Sequence, residues 1–163
     1  MTFAAYLDGP YKVVLLLHLF CVTIGFGAVF TNKFYALQGQ KRPGPGGLAI
    51  AEANYAVSKL AEKAIYLVPI FGLALVGMSD SAWEFSQTWV WLSLVLYVVG
   101  VGVSHSVMFP SAKKMNELLA SATSGPPPQD QLDALGKKLA AGGMFLDLLL
   151  VVLFVLMIWK PGV

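Results

Sequence analysis

The chain has 163 residues, of which 57% are apolar and only 12% are charged. Average soluble domains carry about 25% charged residues, so this composition excludes an ordinary soluble enzyme. The net charge of +2 is too small for a nucleic-acid-binding protein, and the single cysteine excludes a disulfide framework or a multi-cysteine zinc site.

The first predicted helix covers about residues 11–35 and carries a long, nearly unbroken apolar run. A helix needs about 20 such residues to cross the hydrocarbon core of a bilayer. A cleaved signal peptide is the alternative interpretation. The run is longer than the apolar core of most signal peptides and no A-x-A cleavage site follows it, which favours a retained spanning helix.

Three more helices are predicted, at about residues 50–78, 89–120 and 131–159. The second joins an amphipathic first half to a short apolar second half, and Pro69 should kink it because proline removes one backbone hydrogen bond. The apolar part of the third ends at Pro110. Since backbone polar groups in lipid must be paired internally, the spanning segments are expected to be helical.

A short connection at 79–88 and two long polar stretches, QGQKRPGPGG at 38–47 and SATSGPPPQDQ at 121–131, separate these helices. Glycine and proline at this density are typical of loops. We therefore expect a single domain over 1–163, an all-α membrane protein built as an antiparallel up-down bundle of four transmembrane helices. Helices 2 and 3 should extend beyond the membrane on the cytoplasmic side.

The basic residues predict the orientation of the bundle. Nine of the eleven lie in or beside the two long loops: Lys33, Lys41, Arg42, Lys59, Lys63, Lys113, Lys114, Lys137 and Lys138. The opposite face has only Lys12 and Lys160. The positive-inside rule then places both long loops in the cytoplasm and both termini outside, in a bacterial cytoplasmic (inner) membrane. All four tryptophans fall on the outer side, as an interfacial belt.

Histidines on two spanning helices raise the possibility of a b-type haem. At 1.5 Å per residue, His18 lies about 10 Å and His105 about 24 Å below the outer surface. Two axial ligands of one iron need nearly equal depth, so this difference disfavours a haem shared by both rings. A haem held by one of them alone stays open, beside a structural role for each ring as a neutral imidazole bonded to a neighbouring helix.

A polar cluster is expected near the cytoplasmic side of the bundle. Asp147 and His105 lie about 10 Å and 8 Å from that face, at the depth of Asn32 and Lys63. Burying such groups in a membrane is costly unless they are paired. The sequence therefore predicts a cluster of Asn32, Lys63, His105 and Asp147, serving either as a pin that fixes helix register or as a proton or ion site.

Copper is a second cofactor alternative. His105 and Met108 are three residues apart on one helical face, and Met144 is expected near them. Together these three side chains are soft ligands that could hold copper(I). Methionine is also a common packing residue, so no metal site is predicted outright. No Ser-His-Asp set and no paired carboxylates are present, so an enzyme is not indicated.

Short motifs along the chain resemble a family of small predicted integral membrane proteins of unknown function. They are Leu16-Leu17-His18 with Gly25 and Gly27, the stretch from Trp83 to Leu92, Met108-Phe109-Pro110-Ser111-Ala112-Lys113-Lys114, and Leu146-Asp147-Leu148-Leu149-Leu150 with Lys160-Pro161. That family distantly resembles the copper-resistance D membrane domain and the haem-binding membrane protoporphyrinogen oxidase. The resemblance implies that His18 corresponds to the histidine early in their first helix.

The resulting functional expectation is a non-catalytic accessory or scaffolding subunit of a cytoplasmic-membrane assembly. Small residues on the helix faces, which allow membrane helices to pack closely, motivate it. Its expected partners are the lipid bilayer and other membrane-protein subunits, with no nucleic acid and no cofactor. The alternative is a haem- or copper-handling membrane redox protein that uses His18 or His105.

Overall fold

The computed structural model describes residues 8–42, 44–121 and 128–162, and all the regular structure in them is helical. The elements are α1 (Gly9–Gln40), α2 (Pro45–Gly77), α3 (Thr88–Val103), a π-helical turn (Ser104–Met108), α4 (Phe109–Ser121) and α5 (Gln129–Trp159). Because α3, the π turn and α4 are continuous, they form one rod. All four rods are long and apolar enough to cross a membrane, which confirms the predicted four-helix membrane bundle.

The rods are longer than a bilayer is thick. Each has 31 to 34 residues, or about 48 Å of helix, against a hydrocarbon core of about 30 Å. α1 and α2 form the most extensively packed pair, while the third rod packs mainly against α5. The membrane therefore surrounds only part of each rod.

The connection between α1 and α2 is shorter than the sequence predicted. It comprises residues 41–44, because α1 continues to Gln40 and Pro45 already occupies the first turn of α2. Proline is suited to that position, where no backbone donor is needed. A Cβ added at Gly47 would lie 3.0 Å from the Gly39 carbonyl oxygen, so glycine at position 47 lets the two helices approach closely. Residues 122–127 of the second predicted loop lie outside the described residues.

Aromatic packing closes the other end of the bundle. The rings of Trp83 and Trp89 meet edge to face at 5.9 Å, and the Lys160 ammonium lies 3.4 Å from the centroid of the Trp83 ring. Trp91 and Trp159 instead point outward. Of the four tryptophans in the predicted interfacial belt, Trp83 and Trp89 therefore pack against other parts of the protein.

The third rod passes through Pro110 without ending. Proline cannot donate a backbone hydrogen bond, and its ring crowds the carbonyl one turn earlier. The π turn lies directly before it, and in that turn the Phe109 amide donates to the carbonyl of Ser104, five residues back. The wider turn allows the helix to continue into α4.

Candidate functional site

Three titratable side chains converge between α2 and the π turn, and we call them the Glu62 triad. The Tyr66 hydroxyl lies 2.6 Å from Glu62 Oε1 and 2.7 Å from His105 Nε2. His105 Nε2 lies 2.8 Å from the same Glu62 oxygen. All three polar atoms are thus within hydrogen-bond distance of one another.

Helical spacing places the α2 members of this site on one face. Lys59, Glu62 and Tyr66 are separated by three and four residues, the spacing of neighbours on a helix surface. The Lys59 ammonium bonds the second carboxylate oxygen, Glu62 Oε2, at 2.5 Å and lies 4.4 Å from the Phe109 ring centroid. Only 11% of the Glu62 side chain is exposed. Each carboxylate oxygen therefore has a polar partner.

The π turn presents the imidazole of His105 to this face. His105 Nδ1 lies 2.9 Å from the carbonyl oxygen of Val101, one turn earlier on the rod. A carbonyl only accepts, so Nδ1 carries a proton and donates it. The ring also stacks on Tyr66, with centroids 6.0 Å apart, while 46% of the side chain remains exposed.

Asp147 lies elsewhere, in a pair that joins α5 to α1. Its Oδ2 is 3.8 Å from the Lys33 ammonium, which also lies 4.2 Å from the Phe30 ring centroid. Oδ1 is buried and has no hydrogen-bond partner within the described part of the chain. The predicted pairing of Asp147 with His105 or Lys63 is therefore corrected to a pairing with Lys33.

The remaining members of the predicted cluster are also separate. Asn32 Oδ1 accepts a 3.2 Å hydrogen bond from the Ser58 hydroxyl, and this bond joins α1 to α2. Lys63 follows Glu62 in sequence but is exposed. Thus Asn32, Lys63, His105 and Asp147 do not form one cluster. His105 instead belongs with Glu62 and Tyr66, which were not predicted as site residues.

His18 is buried at a different level of the bundle. Its Nδ1 lies 3.0 Å from the Val68 carbonyl oxygen, and a Cβ added at Gly72 would lie 3.2 Å from His18 Cε1. His18 thus contacts α2 at Val68 and Gly72, whereas His105 contacts α2 at Glu62 and Tyr66, which lie six residues earlier in each case. Six residues correspond to about 9 Å along α2, so the two rings occupy separate sites.

The proposed copper ligands are also dispersed. A Cβ added at Gly142 would lie 2.6 Å from the Met108 sulfur, so Met108 packs against the α5 backbone. Met144 points outward, and Cys21 is buried in α1. Within residues 8–42, 44–121 and 128–162, no three His, Cys, Asp or Glu side chains are grouped so that they could hold a metal ion.

A signal for the triad was present in the sequence. Glu62 lies 15 residues before Gly77, the last residue of α2, which corresponds to about 22 Å. That depth is already within a hydrocarbon core of about 30 Å, where an acidic residue requires a partner. Its position in an amphipathic stretch instead suggested a solvated face.

Comparison with known proteins identifies the family. Residues 12–161 match the family model of a predicted integral membrane protein, DUF2269. No curated protein and no solved structure matches the chain. The resemblance to copper-resistance D and protoporphyrinogen oxidase is not shown by these comparisons. Because the family match covers nearly the whole sequence, the protein is an integral membrane protein of the lipid bilayer and belongs to the DUF2269 family.

Proposed function

We propose that this protein is a non-catalytic accessory subunit that packs against helices of other chains in a bacterial cytoplasmic-membrane assembly. The observation that carries the proposal is a row of small residues on the outward face of α1. Thr23, Gly27 and Thr31 are exposed and four residues apart, so they lie along one line of the helix surface. Small residues at this spacing are typical of packed membrane helices.

The hydroxyls of the two threonines on this row already donate hydrogen bonds within α1. The Thr23 hydroxyl donates to the Leu19 carbonyl at 2.8 Å, and the Thr31 hydroxyl donates to the Gly27 carbonyl at 3.0 Å. No atom lies within 4 Å of a Cβ added at Gly27. The row is therefore a shallow, nonpolar groove that a neighbouring helix could approach closely.

Glycines that face open space on other rods favour contact with more than one neighbouring chain. Gly102 on α3 and Gly143 on α5 also have no atom within 4 Å of an added Cβ. A two-fold homodimer uses one self-complementary patch, whereas these positions lie on three different helices. This distribution favours a subunit that contacts other chains over a simple dimer of this chain.

The orientation proposed with this role follows from the basic residues. The connection between α1 and α2, with Lys41 and Arg42, would face the cytoplasm together with the end of α4. Both termini would then lie outside.

One observation favours the redox alternative, in which His18 holds a haem. Its Nδ1 proton is directed at the Val68 carbonyl, which leaves Nε2 with its lone pair. Ligating histidines commonly donate their other ring N–H to a backbone carbonyl in this way. An absorption spectrum of protein purified from its native membrane tests this alternative: a Soret band that is lost in His18→Gln would support it.

The accessory role is tested by purification from native membranes in a mild detergent. We expect other membrane polypeptides to co-purify in fixed stoichiometry, and Gly27→Leu to release them. Ile24→Leu, an exposed position on the same helix, is the matched control and should retain them. Wild-type protein that purifies as this chain alone, as monomer or as homo-oligomer, would contradict the proposal.

A further inference from the structure

The geometry of the Glu62 triad requires one more proton than its isolated groups would carry at neutral pH. The contacts Tyr66–Glu62, Tyr66–His105 and His105–Glu62 measure 2.6, 2.7 and 2.8 Å. If Glu62 were ionised and His105 neutral, the phenolic proton of Tyr66 would be the single hydrogen for these three contacts. His105 Nδ1 does not help, since its proton is donated to the Val101 carbonyl.

Neither placement of the phenolic proton gives all three contacts a hydrogen. If Tyr66 donates to Glu62, the unprotonated His105 Nε2 would direct its lone pair at two oxygens within 2.8 Å. If Tyr66 donates to His105, the carboxylate oxygen of Glu62 would face the phenolic oxygen without a hydrogen between them. One added proton on His105 Nε2 gives every contact a hydrogen, because that N–H points towards both oxygens while Tyr66 donates to Glu62.

We propose that Glu62, Tyr66 and His105 form a proton-binding site in which the carboxylate and the imidazole share one exchangeable proton. Binding transfers a proton from water to the Glu62–His105 pair, and release returns it to water. No other bond forms or breaks. The ligand is the proton itself, and the proposal does not depend on the accessory role.

Charged and titratable groups surround the site on several helices. From α2, Lys59 contacts Glu62, and Lys63 follows it in sequence but is exposed. Two further phenols lie nearby: the Tyr97 hydroxyl of α3 is bonded to the Ile65 carbonyl, and the Tyr55 ring of α2 packs edge to face against Phe109. The charged residues of α1 and α5 at the inner level, Lys33 and Asp147, are paired with each other.

His105 and Lys59 lie at the surface of the bundle. The His105 side chain is 46% exposed, and the Lys59 side chain beside it is 48% exposed. The site lies about 22 Å from the outer end of α2, hence within about 8 Å of the opposite boundary of a 30 Å hydrocarbon core. The nearer boundary is on the side where α1 connects to α2, so we expect the proton to exchange with water on that side.

The test uses full-length protein in lipid nanodiscs, with ¹⁵N-labelled histidine and infrared difference spectra recorded across about pH 5 to 8, where an unperturbed histidine titrates. The chain has only two histidines, so His105→Gln assigns the signals. At pH 7 we expect either a doubly protonated His105 ring or a carboxylic-acid band from Glu62. Glu62→Gln should lose the shared proton and leave His105 with a single N–H.

Two further variants separate this site from a general effect on folding. Tyr66→Phe keeps the Glu62–His105 contact and should keep the proton. Glu52→Gln, at an exposed acid of the same helix, should leave every signal unchanged. An ionised Glu62 beside a neutral His105 in wild-type protein at pH 7 would overturn the proposal. A His105 signal that titrates identically in wild type and Glu62→Gln would also overturn it.

Discussion

The Tyr97 hydroxyl donates a 3.3 Å hydrogen bond to the carbonyl oxygen of Ile65, which joins α3 to α2. Ile65 lies four residues before Pro69, and proline has no N–H with which to complete the helical bond to that carbonyl. The hydroxyl of one helix thus replaces the backbone donor that the other lacks. Such replacement is how proline is tolerated inside membrane helices.

We predict that Tyr97→Phe destabilises the bundle by about 1 kcal/mol, because it leaves the Ile65 carbonyl without a donor in an apolar environment. In a Pro69→Ala background the backbone amide of residue 69 can satisfy that carbonyl. The same Tyr97→Phe change should then cost much less. Thermal unfolding of the four proteins in detergent measures the difference, and an equal cost in both backgrounds would show that Pro69 and Tyr97 are not linked.

A second double-mutant cycle tests the pairing of Asp147. We expect Asp147→Asn and Lys33→Met to be non-additive in unfolding free energy by on the order of 1 kcal/mol, since each removes the same ion pair. Asp147→Asn and His105→Gln should be additive, because no contact joins these residues. Coupling of Asp147 to His105 instead of Lys33 would restore the pairing predicted from the sequence.

The two glycines of α1 should respond differently to one substitution. A Cβ at Gly25 would lie 2.6 Å from Ile65 Cγ1 and 3.3 Å from the Ile65 backbone nitrogen, so Gly25→Leu should destabilise by about 1–3 kcal/mol. Gly27 faces open space, so Gly27→Leu should change stability by less than about 0.5 kcal/mol. Unfolding measurements that rank the two in the opposite order would mean that α1 is rotated relative to this structure.

The fold was predictable from the sequence, because it depends on the length of the apolar segments and on the connections rich in proline and glycine between them. The site was predictable only in part. Depth counted along each helix placed His105 and Asp147 in one layer, but it could not give the rotation of a helix about its axis. That rotation directs His105 towards Glu62 and Asp147 towards Lys33.

The π turn and the short α1–α2 connection are two backbone features that the sequence also did not predict. The third helix was expected to run through Pro110 to about residue 120, and it does, but the sequence did not predict the turn with hydrogen bonds five residues apart that precedes the proline. Gly39 and Gly47 looked like loop residues because glycine serves turns and close helix contacts equally well. Only the tertiary contacts distinguish these uses.

The orientation in the membrane is tested by cysteine accessibility in intact cells, in a Cys21→Ala background. Gly44 has a φ of +74° that a cysteine would strain, so Lys41→Cys is the better probe of the α1–α2 connection. We expect an impermeant thiol reagent to label Ala82→Cys rapidly and Lys41→Cys only after the membrane is broken. Rapid labelling at Lys41→Cys with protection at Ala82→Cys would reverse the orientation.

The central claim, that this chain is an accessory subunit, is tested most directly by native mass spectrometry of the complex released from its own membrane. We predict that the 17.5 kDa chain is released bound to at least one different polypeptide, and that Gly27→Leu yields the same chain without it. A mass equal to this chain alone, to multiples of it, or to this chain plus one haem would contradict that claim.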